Sequence, residues 1–321
     1  MKTGYKAPGK SYRQGISVLQ VADMFSTEEK AVSWFEFWNW PTGDLSCMRC
    51  GSEDAYRVKS GKPMPYRCRK CRKYFSLKTG TVMEDSKLPL RVWGWAIYLE
   101  LTNLKGVSSM KLHRDLGISQ SAAWFVLHRI REAFSQVGPQ VFSGPVEVDE
   151  TYVGGLERNK HAHKKANLGR GPVGKTAVVG MKDRATNRVV ARVVPNTSAD
   201  TLQGFVEEHR VPNAPVYTDG STAYDGLPNR QAVRHSVGEY VSGKAHVNGV
   251  ESFWSMLKRA HKGVYHRLSP KHLQRYVDEF CGRQNIRELD TLAQMQHVVA
   301  GMMGKRLMYC DLTAGTRGHA T

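Results

Sequence analysis

The sequence predicts an α/β fold, its main domain built on a mixed sheet and preceded by a small cysteine module and a helical segment. Three observations predict it. The runs VEVDETYV, KTAVVGMKD and RVVARVVP, between residues 146 and 195, are rich in β-branched residues and read as three successive strands. A helix from about Ser198 to His209 and a short strand at PVYTD follow, and from about His246 onward the pattern is helical. Strands first, then alternation, then helices is the order of an α/β domain with a mixed sheet.

Length and charge bound the rest. With 321 residues there is room for two or three domains, and 40% apolar residues suffice for their cores. A formal charge of +18 calls for an acidic partner, and nucleic acid is the commonest. No run approaches the roughly 18–20 apolar residues of a membrane helix. The N-terminal MKTGYKAPGKSYRQG is basic but lacks the apolar segment of a secretory signal. A cytoplasmic, reducing location is expected, where paired cysteines more often hold metal than form disulfides.

Taken in order, residues 1–44 form a basic arm and a helix. Ser26, followed three places later by Glu29, predicts a capping box. The helix it opens carries Trp34, Phe35, Phe37 and Trp38, with Trp40 just beyond, and should pack on the next module. In that module, residues 45–80, Cys47 and Cys50 form one C-x-x-C knuckle and Cys68 and Cys71 another, separated by the 17 residues 51–67. Such spacing places four thiolates around a structural zinc and leaves no open coordination position. Nine Lys or Arg residues fall between Arg57 and Lys78 with no acid among them, and this run is expected to contact phosphates. Arg69, Lys70, Arg72 and Lys73 lead it. Tyr66, Tyr74 and Phe75, interleaved with it, either stack on bases or pack within the module, the second being the commoner use.

Residues 86–137 resemble a helix-turn-helix. Met110, Leu112 and Leu116 lie on a first helix, Gly117 supplies the turn, and Ser119 caps a second helix with an apolar stripe at Ala123, Val126, Leu127, Ile130 and Phe134. Gln120 and Ser121, with His128 and Arg131 further along, are then expected to face a DNA groove. An ordinary helical hairpin is the alternative. Gly138, Pro139, Gly144 and Pro145 punctuate a linker. Residues 144–305 are assigned to the main α/β domain and 306–321 to a tail.

Within that domain, alternation puts Glu147 and Asp149 on one face of their strand and Val146 and Val148 on the other. Asp219 ends the strand PVYTD, a position where α/β sheets place ligand-binding groups. Glu251, Ser255 and Lys258 share a helix face at offsets of four and seven. Three carboxylates brought together repel one another unless a divalent cation neutralises them, and Mg²⁺ or Mn²⁺ prefers oxygen ligands. Asn248 is expected to cap the helix of Glu251, and His246 is a candidate to approach the metal or the scissile phosphate. Glu150 faces away from Asp149 and reads as structural or DNA-proximal. The basic insertion LERNKHAHKKANLGRGPVGK reads as a DNA-tracking loop. Its Gly169, Gly174, Lys175 and Thr176 match G-x-x-x-x-G-K-[ST] by letter but lack the strand–loop–helix context of a nucleotide site. Cys281 and Cys310, isolated, read as small buried hydrophobes.

The strings C-x-x-C…C-x-x-C, VEVDETYVGG, VYTDGSTAY, HVNGVESFWSMLKRAHKGVYH and KHLQRYVDEFCGRQN make residues 47–300 resemble the DDE transposases of bacterial insertion sequences, in the subgroup with an N-terminal zinc ribbon. The resemblance implies a ribonuclease H-like catalytic domain with Asp149, Asp219 and Glu251 as the metal-binding catalytic triad. It implies that Lys258, seven residues after Glu251, contacts the transposon end. Some members of the subgroup carry Asn or His at the glutamate; this chain keeps Glu251. The activity implied is cleavage at inverted-repeat ends and transfer of the 3′-hydroxyls to target DNA, by a dimer or larger assembly on double-stranded DNA. A non-catalytic DNA-binding regulator and a structure-specific nuclease are the alternatives.

Overall fold

Ser17 and Gln20 open the first helix reciprocally: the Ser17 hydroxyl accepts from the Gln20 amide at 3.2 Å, and the Gln20 side chain accepts from the Ser17 amide at 2.8 Å. In this computed structural model, which describes residues 14–135, 140–155, 161, 163, 165, 173–232 and 246–314, that helix is α1 (Val18–Met24). The box expected at Ser26 and Glu29 does not form; a simple cap stands one residue on, at Thr27. The Ser26 hydroxyl donates to the Asp23 carbonyl at 3.1 Å, closing α1, while Thr27 accepts from the Lys30 amide and caps α2 (Glu28–Asn39).

The chain divides into two units, 1–134 with 286–321 and 135–285. In the first, β1 (Ala55–Arg57), β2 (Tyr66–Cys68) and β3 (Tyr74–Phe75) form an antiparallel sheet in that order. The α2 helix packs on this sheet as its aromatics suggest. Trp40 meets Tyr66 edge-on at 5.1 Å, Tyr66 stacks on Phe75 at 5.3 Å, and Glu36 takes hydrogen bonds from Arg57 and Tyr66. Helix α3 (Leu90–Thr102) follows, then α4 (Ser109–Leu116) and α5 (Gln120–Phe134). Gly117 ends α4 at φ +63°, a conformation that only glycine adopts without strain, and Ser119 accepts from the Ala122 amide at the start of α5.

The second unit carries the mixed sheet. The three long strands are β4 (Val146–Val153), β5 (Thr176–Asp183) and β6 (Val189–Val194), paired antiparallel. Helix α6 (Ala199–His209) leads to β7 (Val216–Thr218), which lies parallel to β4, and β8 (Arg230–Ala232) adds a parallel edge that the sequence does not announce. The order is β6-β5-β4-β7-β8. Alternation along β4 and β5 divides two cores. Val146, Val148, Val179 and Met181 pack with Leu202, Phe205 and Val206 of α6. On the other face, Val153 and Val178 pack with α7 (Asn248–Ala260) and α8 (Pro270–Asn285) through Phe253, Trp254, Leu257, Leu273 and Val277.

Beyond α8 the chain returns to the first unit. Helix α9 (Thr291–Gly301) packs on α2, α3 and α5, burying Met295, Val298 and Val299 in their core. The break therefore falls at 285/286 rather than at 305, because the apolar face of α9 belongs to the helical core and not to the sheet. Of the expected tail, 306–314 are described: Arg129 donates to the Leu307 carbonyl at 3.2 Å, and α10 (Tyr309–Thr313) buries Leu312. Residues 1–13 of the expected arm, 136–139 of the linker, most of the insertion and 315–321 lie outside the described residues. No helix among the described residues is long and apolar enough to cross a membrane.

Candidate active site and metal centre

The cysteines converge. Their sulfurs all lie within 4.8 Å of one another, the nearest pairs, Cys47 with Cys71 and Cys50 with Cys68, being 3.8 Å apart. The Cys71 amide donates to the Cys68 sulfur at 3.4 Å and lowers that thiol, while burial pushes the Cys47 thiol up to about 11. Four soft donors at this separation fit a tetrahedral zinc.

The basic run around them sorts into two kinds. Arg57 is held by Glu36 at 2.9 Å, and the Lys78 ammonium donates to the carbonyls of Ser86 and Leu88, burial lowering its affinity for protons. Lys78 is thereby occupied by protein acceptors, whereas Arg57, though paired, keeps its side chain 60% exposed. Arg69, Lys70, Arg72 and Lys73 are exposed on the second knuckle, Arg69 reaching Asp54 at 3.3 Å across the surface. Tyr66 and Phe75 are buried and pack within the ribbon.

On α5, Gln120 and Ser121 are exposed in the first turn, and the Gln120 side chain reaches Ser109 at 2.9 Å. His128 and Arg131 do not face outward as expected. Both are buried, Arg131 pairing with the equally buried Glu100 at 3.4 Å, because the second half of α5 runs through the core of its unit.

The acids come from three elements. Asp149 stands on β4, and the parallel register that pairs Val146 with Val216 and Glu147 with Tyr217, carried two residues on, sets Asp219 alongside it. Glu251 sits in the first turn of α7, exposed with Ser255 and Lys258 along one face. Their fields overlap at Asp149: burial, then the charges of Glu150, Asp219 and Glu251, push its carboxyl up to about 7. A half-buried carboxylate raised by burial and by three others is a group lacking positive charge, the condition that a divalent cation relieves. Among the described residues, the cysteines are nevertheless the one set of three or more candidate ligands whose donor atoms all lie within 4.8 Å. The acids stand more widely. Glu150, turned to the other face, accepts from the buried Tyr224 hydroxyl at 2.7 Å and is itself raised, chiefly by burial.

Helix α7 is seated by contacts that the sequence does not display. Asn248 is its first residue rather than its cap; Val247 holds the cap position without a side-chain bond. The carboxylate of Glu147, on β4, takes that role, accepting from the amides of Gly249 at 2.7 Å and Val250 at 3.0 Å. A Cβ at Gly249 would lie 2.6 Å from that oxygen, so a larger residue there would displace the capping carboxylate. Trp254 rests over Gly180, the β5 partner of Asp149, where a Cβ would meet its ring at 2.5 Å. His246 Nδ1 stands 3.2 Å from Glu147 Oε1, within ion-pairing distance but without hydrogen-bond alignment. Its contact is with the capping carboxylate. Lys175 precedes the strand β5 rather than a helix, which excludes the nucleotide-loop context, and Gly169 lies outside the described residues. Cys281 is buried as expected, whereas Cys310 is exposed.

The sequence matches two family models, a transposase zinc-ribbon domain over residues 26–74 and an ISXO2-like transposase domain over residues 141–285. It is 31% identical over 266 residues to a protein of the transposable element ISH50 of Halobacterium salinarum, a match covering 77% of this chain and 88% of that one. It is also 27% identical over 121 residues to a transposase-like protein of Haemophilus influenzae, covering 36% of this chain and 97% of the relative. With a four-cysteine ribbon in one unit and acids gathered on the mixed sheet of the other, the chain belongs to the insertion-sequence transposases that join a zinc ribbon to an ISXO2-like transposase domain.

Proposed function

We propose that the chain is a metal-dependent DNA transposase in which Asp149, Asp219 and Glu251 are the catalytic carboxylates of a ribonuclease H-like domain. The observation that carries this reading is the overlap of their fields at Asp149, inside the region matching the transposase domain. Mg²⁺ or Mn²⁺ bound there would activate the attacking oxygen and stabilise the leaving one. The chain's own part is to hold three oxygen donors on two adjacent strands and a helix, and to keep Asp149 half-buried so that a cation is drawn in to neutralise it. Lys258, two turns beyond Glu251 on the exposed face of α7, is suited to a phosphate of the element end.

The remaining parts concern DNA. Arg69, Lys70, Arg72 and Lys73 on the zinc knuckle, with Gln120 and Ser121 at the exposed start of α5, are the groups proposed to bind the terminal inverted repeats. The reaction proposed is hydrolysis at each element end to free a 3′-hydroxyl, then attack of that hydroxyl on target DNA, in the cytoplasm, by a homodimer or larger assembly pairing two ends. Incubating the protein with end-bearing duplex, a target plasmid and Mn²⁺ tests this. Joined products, lost with Asp149→Ala while duplex binding persists, are expected. Cleavage without joining would indicate a nuclease, and binding without cleavage a regulator; either overturns the proposal.

A further inference from the structure

Each acid stands two residues beyond a member of a second, connected set. Glu147 precedes Asp149 on β4, Tyr217 precedes Asp219 at the end of β7, and Gly249 precedes Glu251 on α7. The register of β4 with β7 sets Glu147 beside Tyr217. Glu147 Oε2 accepts the amides of Gly249 and Val250, while Oε1 accepts Arg184 Nε at 2.8 Å. The Arg184 guanidinium lies 3.8 Å over the Tyr217 ring and also donates to the His246 carbonyl, where the chain enters α7. One carboxylate and one guanidinium thus tie together β4, β5, β7 and the start of α7.

The arrangement is specific in its chemistry. Glu147 is only 2% exposed, and a buried carboxylate is tolerated when its oxygens are taken up by charge and by donors, as both are here. The free amides at a helix N-terminus complement negative charge. Two residues along a strand return to the same face, so Asp149 projects from the face that Glu147 uses to hold the helix.

We infer that Glu147 and Arg184 are positioning residues of the acidic centre, holding α7 against β4 and β7 so that Glu251 meets Asp149 and Asp219 around a divalent cation. The inference rests on the proposed reading of the acids as metal ligands. Residues that orient ligands in this way typically change metal affinity by about 10- to 100-fold when replaced.

The test compares full-length wild type, Glu147→Ala, Glu147→Gln and Asp149→Asn. Mn²⁺ affinity is followed by electron paramagnetic resonance of the bound ion, and amide exchange at Gly249 and Val250 by NMR. Glu147→Ala should weaken Mn²⁺ binding about tenfold or more and speed exchange of the two amides about fivefold or more. Glu147→Gln keeps an oxygen for the amides and loses the charge facing Arg184. It should restore amide protection and fall between the other two in Mn²⁺ affinity. Mn²⁺ affinity at the wild-type level in both variants, with only the melting temperature lowered, would reduce Glu147 to a stabilising cap and overturn the inference. Should Glu147→Ala fail to fold, wild-type affinity in Glu147→Gln alone would do so. Wild type binding Mn²⁺ no better than Asp149→Asn would sink the reading of the acids, and this inference with it.

Discussion

The cysteine cluster and the acidic cluster are assembled in opposite ways. Four sulfurs from two knuckles within one small sheet stand within 4.8 Å of each other, already at a spacing that zinc accepts. The acids come from a strand, the residue after a second strand and a helix, and burial, then their mutual repulsion, raises Asp149 to about 7. Free thiols are mostly protonated at neutral pH, so four of them crowd with less repulsion than carboxylates, which are charged and resist crowding. The first site therefore needs only its local sequence. The second needs a scaffold, and Glu147, Arg184, Gly180 and Gly249 supply it.

The ribbon is the more sensitive of the two sites. Cys68→Ser should abolish zinc retention and cooperative folding of the sheet β1–β3, since structural zinc sites contribute about 10 kcal/mol or more of folding free energy. Zinc content and the circular dichroism melt are the measurements; retained zinc with an unchanged melt would refute the site. At the acidic centre, Gly249→Ala presses a methyl against Glu147 at 2.6 Å and should destabilise by about 1–3 kcal/mol, read as a lowered melting temperature with zinc content intact.

A third expectation follows from charge. With Asp149 at about 7 against an ordinary 3.8, the folded metal-free protein keeps a proton that the unfolded chain releases between those values. The Asp149 contribution to stability should therefore fall as pH rises through that window, and is read as the difference between wild type and Asp149→Asn in denaturant midpoints taken from pH 4 to 8. The zinc site contributes a slope of opposite sign to both proteins, since unfolding frees thiolates that take up protons in that range. The smallest effect is at the surface. Lys70→Ala and Lys73→Ala should each lower the salt-dependence slope of duplex binding by about 1, measured by fluorescence anisotropy.

Legibility in the sequence follows the same division. The C-x-x-C pairs, the β-branched runs of β4 to β6 and the face shared by Glu251, Ser255 and Lys258 are local patterns, and each appears in the structure where its period places it. The parallel register of β4 and β7, which brings Asp219 to Asp149, spans 70 residues and has no local signature. Glu147 reads as one more acid beside Asp149, because the amides it caps lie 102 and 103 residues away. The outward reading of His128 and Arg131 fails because helical period alone does not reveal that α3, α4 and α9 all pack on α5, with Glu100 of α3 pairing with Arg131. Lys78 shows the same limit: its charge reads as surface, while its ammonium is occupied by the carbonyls of Ser86 and Leu88.

If acids from three elements act as one centre, removing any one of them disables all three. The direct measurement is the rate of Mn²⁺-dependent cleavage of element-end DNA by wild type, Asp149→Asn, Asp219→Asn and Glu251→Gln at equal duplex occupancy. Each variant is expected to lose at least about a thousandfold, some 4 kcal/mol of barrier, with DNA binding and zinc content unchanged. Cleavage within tenfold of wild type in any one of the three would contradict a shared centre.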